Sequence, residues 1–129
     1  PALQSALAQS QNNQHKVGKN GFDWPEVAGV WEKLMEEIGE LQAAASPEEQ
    51  AAELGDILFV VVNLARWLGV DAESSLRQTN LRFTRRFQLV ERLAAERSLD
   101  LEQLDFGQLD TLWVEVKNKL AKTEGETYT

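Results

Sequence analysis

The chain has no cysteine among its 129 residues. Disulfides and thiolate zinc sites are thereby excluded, and a reducing compartment suits it. It also lacks a long apolar run. The longest such stretch, Leu54 to Leu68, is broken by Asp56, Asn63 and Arg66, and is too short and too polar to span a bilayer. The opening Pro1-Ala2-Leu3-Gln4-Ser5-Ala6-Leu7 has neither a basic start nor an extended apolar core, so it does not read as a signal peptide. The expected location is the cytoplasm. Basic residues are few: 13 Lys and Arg against 21 Asp and Glu leave a formal net charge of −8. That deficit argues against a nucleic-acid polymer as partner, because such binding neutralises many phosphates. It leaves a small phosphate ligand open, since a bound divalent cation inverts the local field of an acidic cluster. No glycine-rich phosphate loop is present, which excludes a P-loop enzyme. There is no repeat and no low-complexity block. The single histidine, His15, lies in a polar stretch and reads as a surface residue.

What is present is helical. The composition, 43% hydrophobic and 26% charged, suits a soluble globular protein, and the length suits one domain, 1–129. A core of this size is modest, and small all-α domains often complete it by dimerising. Residues 1–16 form a weak, amide-rich N-terminal helix, and 17–25 a loop punctuated by two glycines and a proline. From Glu26 to Ala45 the apolar residues Val27, Val30, Trp31, Leu34, Ile38 and Leu41 recur at helical steps. Ser46-Pro47-Glu48-Glu49 reads as a helix start, with Ser46 as N-cap, Pro47 in the first turn and Glu49 closing a capping box. That helix runs to Leu68, with Gly69 as its C-terminal cap. Ile57 to Val62 alone would suit a buried strand, but the cap and the length favour a helix buried on most sides. Asp71 caps a helix over 72–97 whose seam is Leu76, Asn80, Phe83, Phe87, Val90 and Ala94. Asp105 and Gln108 form another capping box, opening a helix over 107–122 with Leu109, Leu112, Trp113, Val116 and Leu120 on one stripe. Residues 123–129 read as a frayed tail. The expectation is an all-α bundle of four or five helices.

Two acidic clusters carry the chemistry. Glu36-Glu37-Ile38-Gly39-Glu40 places Glu37 and Glu40 on one helix face, and Glu53-Leu54-Gly55-Asp56 does the same for Glu53 and Asp56. The short link around Ser46-Pro47 turns the second helix back along the first, so four carboxylates can face one another. Such a cluster cannot stay ionised unaided, because like charges repel and burial penalises each. Hard divalent cations resolve this, and Mg²⁺ favours all-oxygen ligand sets. A solvated surface face is the competing reading for Glu36 and Glu37. It is harder to hold for Glu53 and Asp56, because Asp56 precedes six apolar residues in a helix expected to be buried, and a buried acid needs a partner or a metal. Gly39 and Gly55 are each unfavourable in a helix by roughly 1 kcal/mol relative to alanine, which suggests close helix approach beside the acids.

The pattern Glu-Glu-x-x-Glu followed by Glu-x-x-Asp resembles the signature of the all-α nucleoside triphosphate pyrophosphohydrolases. The surrounding residues are similar to the MazG family: Gly21-Phe22-Asp23-Trp24-Pro25, Glu53-Leu54-Gly55-Asp56-Ile57-Leu58-Phe59, Val62-Asn63-Leu64-Ala65-Arg66 and Asn80-x-x-Phe83-x-x-Arg86-Phe87. The resemblance runs from about Pro1 to Lys117 and points to the C-terminal catalytic half of two-domain MazG proteins, or to a single-domain relative. It implies Mg²⁺-dependent hydrolysis of nucleoside triphosphates to the monophosphate and pyrophosphate by water attack at the α-phosphorus, with Mn²⁺ as a possible substitute. It implies Glu37, Glu40, Glu53 and Asp56 as metal ligands and Glu36 or Glu37 as the group that activates water. Lys33, Arg82, Arg86, Trp113 and Lys117 match family positions at the nucleotide. It also implies a homodimer. One departure stands out: Gln11-Asn12-Asn13-Gln14-His15-Lys16-Val17-Gly18 is amide-rich, with an extra glycine, where relatives are basic.

Simpler roles compete at several positions. Arg82 and Arg86 also fit surface charges, Trp113 a core residue and Lys117 a solvated lysine. Asn63 lies two turns beyond Asp56 on the same face, and fits either a group holding a carboxylate or a satisfied core amide. Two other functions remain open: a narrow pyrophosphatase for one pyrimidine or modified deoxynucleotide, and a non-catalytic helical dimerisation module that keeps the acidic site.

Overall fold

The computed structural model describes residues 4–124. Its helices are α1 (Ala6–Lys19), α2 (Val27–Ala43), α3 (Pro47–Trp67), α4 (Ala72–Glu96) and α5 (Phe106–Glu124), with a 3₁₀ turn at Leu101–Gln103. No strand occurs among the described residues. The all-α expectation with four or five helices therefore holds. Two units are distinguishable, one through Leu76 and one from Arg77 onward. The expected tail 123–129 begins inside α5, which continues to Glu124, and 125–129 lie outside the described residues.

In the first unit α2 and α3 form a hairpin joined by residues 44–46. Ser46 caps α3 by accepting the Glu49 N–H at 3.1 Å. The Glu49 carboxylate reaches back to the Ala45 N–H at 2.9 Å, one residue before the Ser46 N–H of an ordinary capping box. Val30, Val60 and Leu64 make the core of this unit, flanked by Val27, Leu34 and Trp67. Helix α3 ends in a Schellman motif. Gly69, at φ +70°, bonds back to the Arg66 carbonyl, and Val70 to that of Ala65.

Helix α1 runs three residues beyond the expected Lys16, to Lys19, and its amides explain the departure seen in the sequence. Gln14 donates to the Phe59 carbonyl of α3 at 3.1 Å. Gln11 spans the α3–α4 turn, donating to the Val70 carbonyl and accepting from the Ala72 N–H, both at 2.8 Å. Uncharged side chains that both donate and accept can clip a helix to exposed backbone groups, which basic ones cannot do. Asp71 caps α4 as expected, accepting the Ser74 N–H at 3.1 Å.

Three burial expectations are corrected. Helix α3 is not buried on most sides: Leu54, Leu58, Phe59 and Val61 are about half exposed. The α4 seam is buried only at Val90 and Ala94, while Leu76, Asn80, Phe83 and Phe87 are exposed. Gly39 and Gly55 permit no close approach within the chain, since a Cβ at either would meet nothing within 4 Å. A chain with this few helices cannot cover every apolar face it carries.

In the second unit Val90, Leu93 and Ala94 of α4 pack on Leu112, Val116 and Leu120 of α5, with Leu101, Leu104 and Trp113 at the margin. Helix α4 ends in a second Schellman motif, with Ser98 at φ 55° where glycine is usual. The Asp105–Gln108 capping box is reciprocal, with bonds of 2.8 and 3.0 Å. Arg97 grips Glu115 with both terminal guanidinium nitrogens, at 2.6 and 2.9 Å.

Candidate metal centre

The hairpin brings the two acidic clusters together as their spacing predicts. Glu37 is buried, while Glu36, Glu40 and Asp56 are exposed and Glu53 is half-buried. Carboxylate oxygens of Glu36, Glu37 and Glu40 lie within 4.8 Å of one another, and so do those of Glu37, Glu53 and Asp56. Glu37 belongs to both groups and is the pivot of the site. Lys33, one turn earlier on α2, sits 3.0 Å from the Glu37 carboxylate and 3.4 Å from that of Glu36.

The charges sort themselves around that lysine. Its hydrogen bond holds the Glu37 carboxyl below the usual glutamate range, and Glu37 in turn holds the Lys33 ammonium above its own. Glu53 is pushed the other way, up to about 7, first by its hydrogen bond with the ionised Glu37, then by burial and the charge of Glu40. Oε2 of Glu37 and Oε2 of Glu53 are both buried, and as carboxylates neither finds a donor. Buried as they are, these oxygens call for a proton or a cation beside them. This donor set, all carboxylate oxygens with at least two otherwise unsatisfied, fits a hard divalent cation.

A second polar network lies further along α3. The Asn63 Oδ1 accepts from Arg66 Nε and Nη2, at 3.1 and 2.9 Å, and Arg66 pairs with Asp23 at 2.5 Å. The Asn63 oxygen thus holds a guanidinium, and the reading of Asn63 as a satisfied amide describes that atom. No spacing rule points to the Asp23–Arg66 pair, whose members are 43 positions apart, although both fall within the motifs that carry the family resemblance. Trp24 lies over Gly29, where a Cβ would come 2.8 Å from the indole, so only glycine admits the ring there.

Arg82, Arg86, Trp113 and Lys117 belong to the second unit. Arg82 donates to Thr79 at 3.1 Å. Arg86 is buried, not a surface charge, with its guanidinium 6.0 Å from the Trp113 ring centroid. Trp113 packs at the edge of the core and against Phe83, ring centroids 5.4 Å apart, as its core reading expects. Lys117 follows one turn later on α5 and is half-buried.

The profile of the phosphoribosyl-ATP pyrophosphohydrolase family matches residues 2–82. The chain belongs to this family. The MazG resemblance is also borne out. A Thermotoga maritima protein named nucleoside triphosphate pyrophosphohydrolase/pyrophosphatase MazG is 42% identical over 115 residues, 89% of this chain and 45% of its own length. The Escherichia coli nucleoside triphosphate pyrophosphohydrolase is 38% identical over 124 residues, 92% of this chain and 47% of its own. The uncharacterised YabN of Bacillus subtilis is 42% identical over 66 residues, 51% of this chain and 14% of its own. The chain thus spans a little under half the length of the first two relatives. Among the described residues no helix is long and apolar enough to cross a membrane.

Proposed function

We propose that this chain hydrolyses nucleoside triphosphates to the monophosphate and pyrophosphate, using Mg²⁺ held by Glu37, Glu40, Glu53 and Asp56. The observation that carries this reading is the pair of overlapping carboxylate groups sharing Glu37, with two buried oxygens that no protein donor satisfies. A divalent cation bound there supplies the positive charge that lets a triphosphate approach a chain of net charge −8. Glu36, exposed at the rim of the cluster, takes the proton from water as its oxygen attacks the α-phosphorus. The bond from that phosphorus to the bridging oxygen breaks, and pyrophosphate leaves with the electron pair. With a cation on the carboxylates, Lys33, now 3.0 Å from Glu37, would be released to serve phosphate. Arg82, Arg86 and Lys117 are proposed as phosphate ligands on resemblance and charge, with the Trp113 ring bracing Arg86. The whole chain acts in this reading as one catalytic domain, as a homodimer, in the cytoplasm.

Pyrophosphate release from a panel of ribo- and deoxynucleoside triphosphates, with Mg²⁺ or with excess chelator, tests the reading. Turnover is expected with the metal and lost with the chelator. Glu53→Gln should abolish it, while Glu91→Gln, at an exposed position on α4, should change it little. Full turnover in chelator would overturn the carboxylate site. Turnover confined to one pyrimidine or modified deoxynucleotide would select the narrow enzyme, and none at all the helical dimerisation module.

A further inference from the structure

Lys33 is bound to the residue on which the acidic cluster turns. Its Nζ lies 3.0 Å from Oε1 of Glu37 and 3.4 Å from Oε1 of Glu36. The two ends of the closer pair differ in environment: the Glu37 side chain is 6% exposed and that of Lys33 35%. The other oxygen of Glu37, Oε2, is buried and meets no donor. Glu37 also belongs to both carboxylate groups, the one with Glu36 and Glu40 and the one with Glu53 and Asp56. One carboxylate thus carries an ammonium on one oxygen and an unmet demand for positive charge on the other.

We infer that Lys33 is an internal counter-ion that sets the metal affinity of this site. It compensates Glu37 in the resting protein, opposes a divalent cation that arrives alone, and yields when a triphosphate arrives with the cation. The inference deepens the proposed hydrolase reading by a regulation of the same site, and only its last step rests on that reading.

Charge supplies the first half of the argument. A buried carboxylate left without a partner is costly, and the ammonium offsets that cost before any metal binds. The same ammonium then disfavours a second cation on the same carboxylate, because like charges this close repel strongly in a half-buried site. The choice of side chain supplies the second half. Lysine has a flexible stem and a compact, strongly hydrated head, so Lys33 can swing from its partly exposed position without disturbing α2. An arginine would hold a carboxylate with paired bonds. The order of the pair also matters. With the lysine one turn before the glutamate, Lys33–Glu37 has the weaker of the two helical orientations, which suits a contact that has to break. A triphosphate offers oxygens to the released ammonium. Metal and triphosphate therefore favour each other beyond their direct attraction, and by the same factor in either order of binding.

The test measures Mn²⁺ affinity of the nucleotide-free chain by water-proton relaxation, at about pH 8, where carboxylates are largely ionised. Lys33→Met keeps the length of the side chain and removes its charge, and should tighten Mn²⁺ binding about tenfold. Lys33→Arg should loosen it severalfold, because the guanidinium grips Glu37 harder. A non-hydrolysable triphosphate at saturating Mn²⁺ should bind Lys33→Met roughly tenfold or more weakly, as loss of one charge-assisted contact predicts. Melting temperatures separate unfolding from altered affinity, and if Lys33→Met does not fold, the direction seen in Lys33→Arg decides. Unchanged or weaker Mn²⁺ binding in folded Lys33→Met, or tighter binding in Lys33→Arg, would overturn the inference. Wild-type pyrophosphate release with that result would leave the hydrolase reading standing. Opposite shifts in the two variants, without any turnover in the wild type, would keep the counter-ion and overturn the hydrolase.

Discussion

Glu37 and Glu53 illustrate how one lysine breaks the symmetry of a carboxylate pair. Lys33 keeps Glu37 ionised, and the ionised Glu37 keeps Glu53 protonated to about pH 7. The folded-state pKa of Glu53 lies above its ordinary value of 4.5. Its contribution to stability is therefore fully present below about pH 4.5 and lost as pH rises through 7. Glu53→Gln, which fixes the neutral form, should raise the melting temperature of the metal-free protein above pH 7 and leave it nearly unchanged near pH 4.5. In saturating Mg²⁺ the order should invert, because the wild type gains a ligand that the glutamine lacks. Thermal scans against pH, with chelator and with Mg²⁺, check both signs. The acids are legible in the sequence because helical spacing alone puts Glu37 with Glu40 and Glu53 with Asp56. The Asp23–Arg66–Asn63 network is not, because nothing in local spacing says which aspartate meets an arginine 43 positions away. Trp24 over Gly29 is hidden for a related reason. A helical glycine five residues after a tryptophan signals a close approach only once the loop's path is known.

Helix boundaries are legible wherever side chains cap them. Ser46, Asp71 and the Asp105–Gln108 pair all do what their spacing says. The sequence places the end of α1 too early because Gly18 reads as a breaker, yet in place it lies inside the helix beside Arg66 and Asp23. The paired Schellman ends of α3 and α4 give a matched experiment. Gly69 at φ +70° is in the region glycine tolerates, and a Cβ there would touch nothing, so Gly69→Ala should cost about 1 kcal/mol from backbone strain alone. Ser98 already carries that strain at φ 55°. Ser98→Gly should therefore stabilise by up to about 1 kcal/mol, less the added entropy of the unfolded chain. Urea midpoints moving in opposite directions for the two variants would bear this out. A downward shift for Ser98→Gly would show that the serine side chain, not the backbone, decides that turn.

For the molecule as a whole, the apolar surface is the main departure from sequence expectation. Trp31, Met35, Leu54, Leu58, Leu81, Phe83 and Phe106 are all exposed, although periodicity marks Trp31 and Phe83 for burial. Sequence patterns report which residues seek burial, not whether the same chain supplies the cover. Exposed apolar side chains in such number mark an interaction surface, and we predict a second copy as the cover. Light scattering at micromolar concentration should give at least twice the 14.5 kDa chain mass, and Leu58→Glu on the exposed face of α3 should shift the population toward monomer. A monomeric wild type would count against the dimer. The connection between α2 and α3 has a further, kinetic consequence. Only Ala44, Ala45 and Ser46 separate these helices, so closing that hairpin sacrifices little chain entropy. It can assemble early and present α3 as a template, while α1 must still find its place on α3 from the far side of a longer loop. The acidic cluster sits on the early pair, whereas a cavity beside α3 needs α1 as a wall. During folding, the carboxylates proposed to hold metal can therefore meet before α1 closes the cavity lined by Phe22, Trp24 and Phe59.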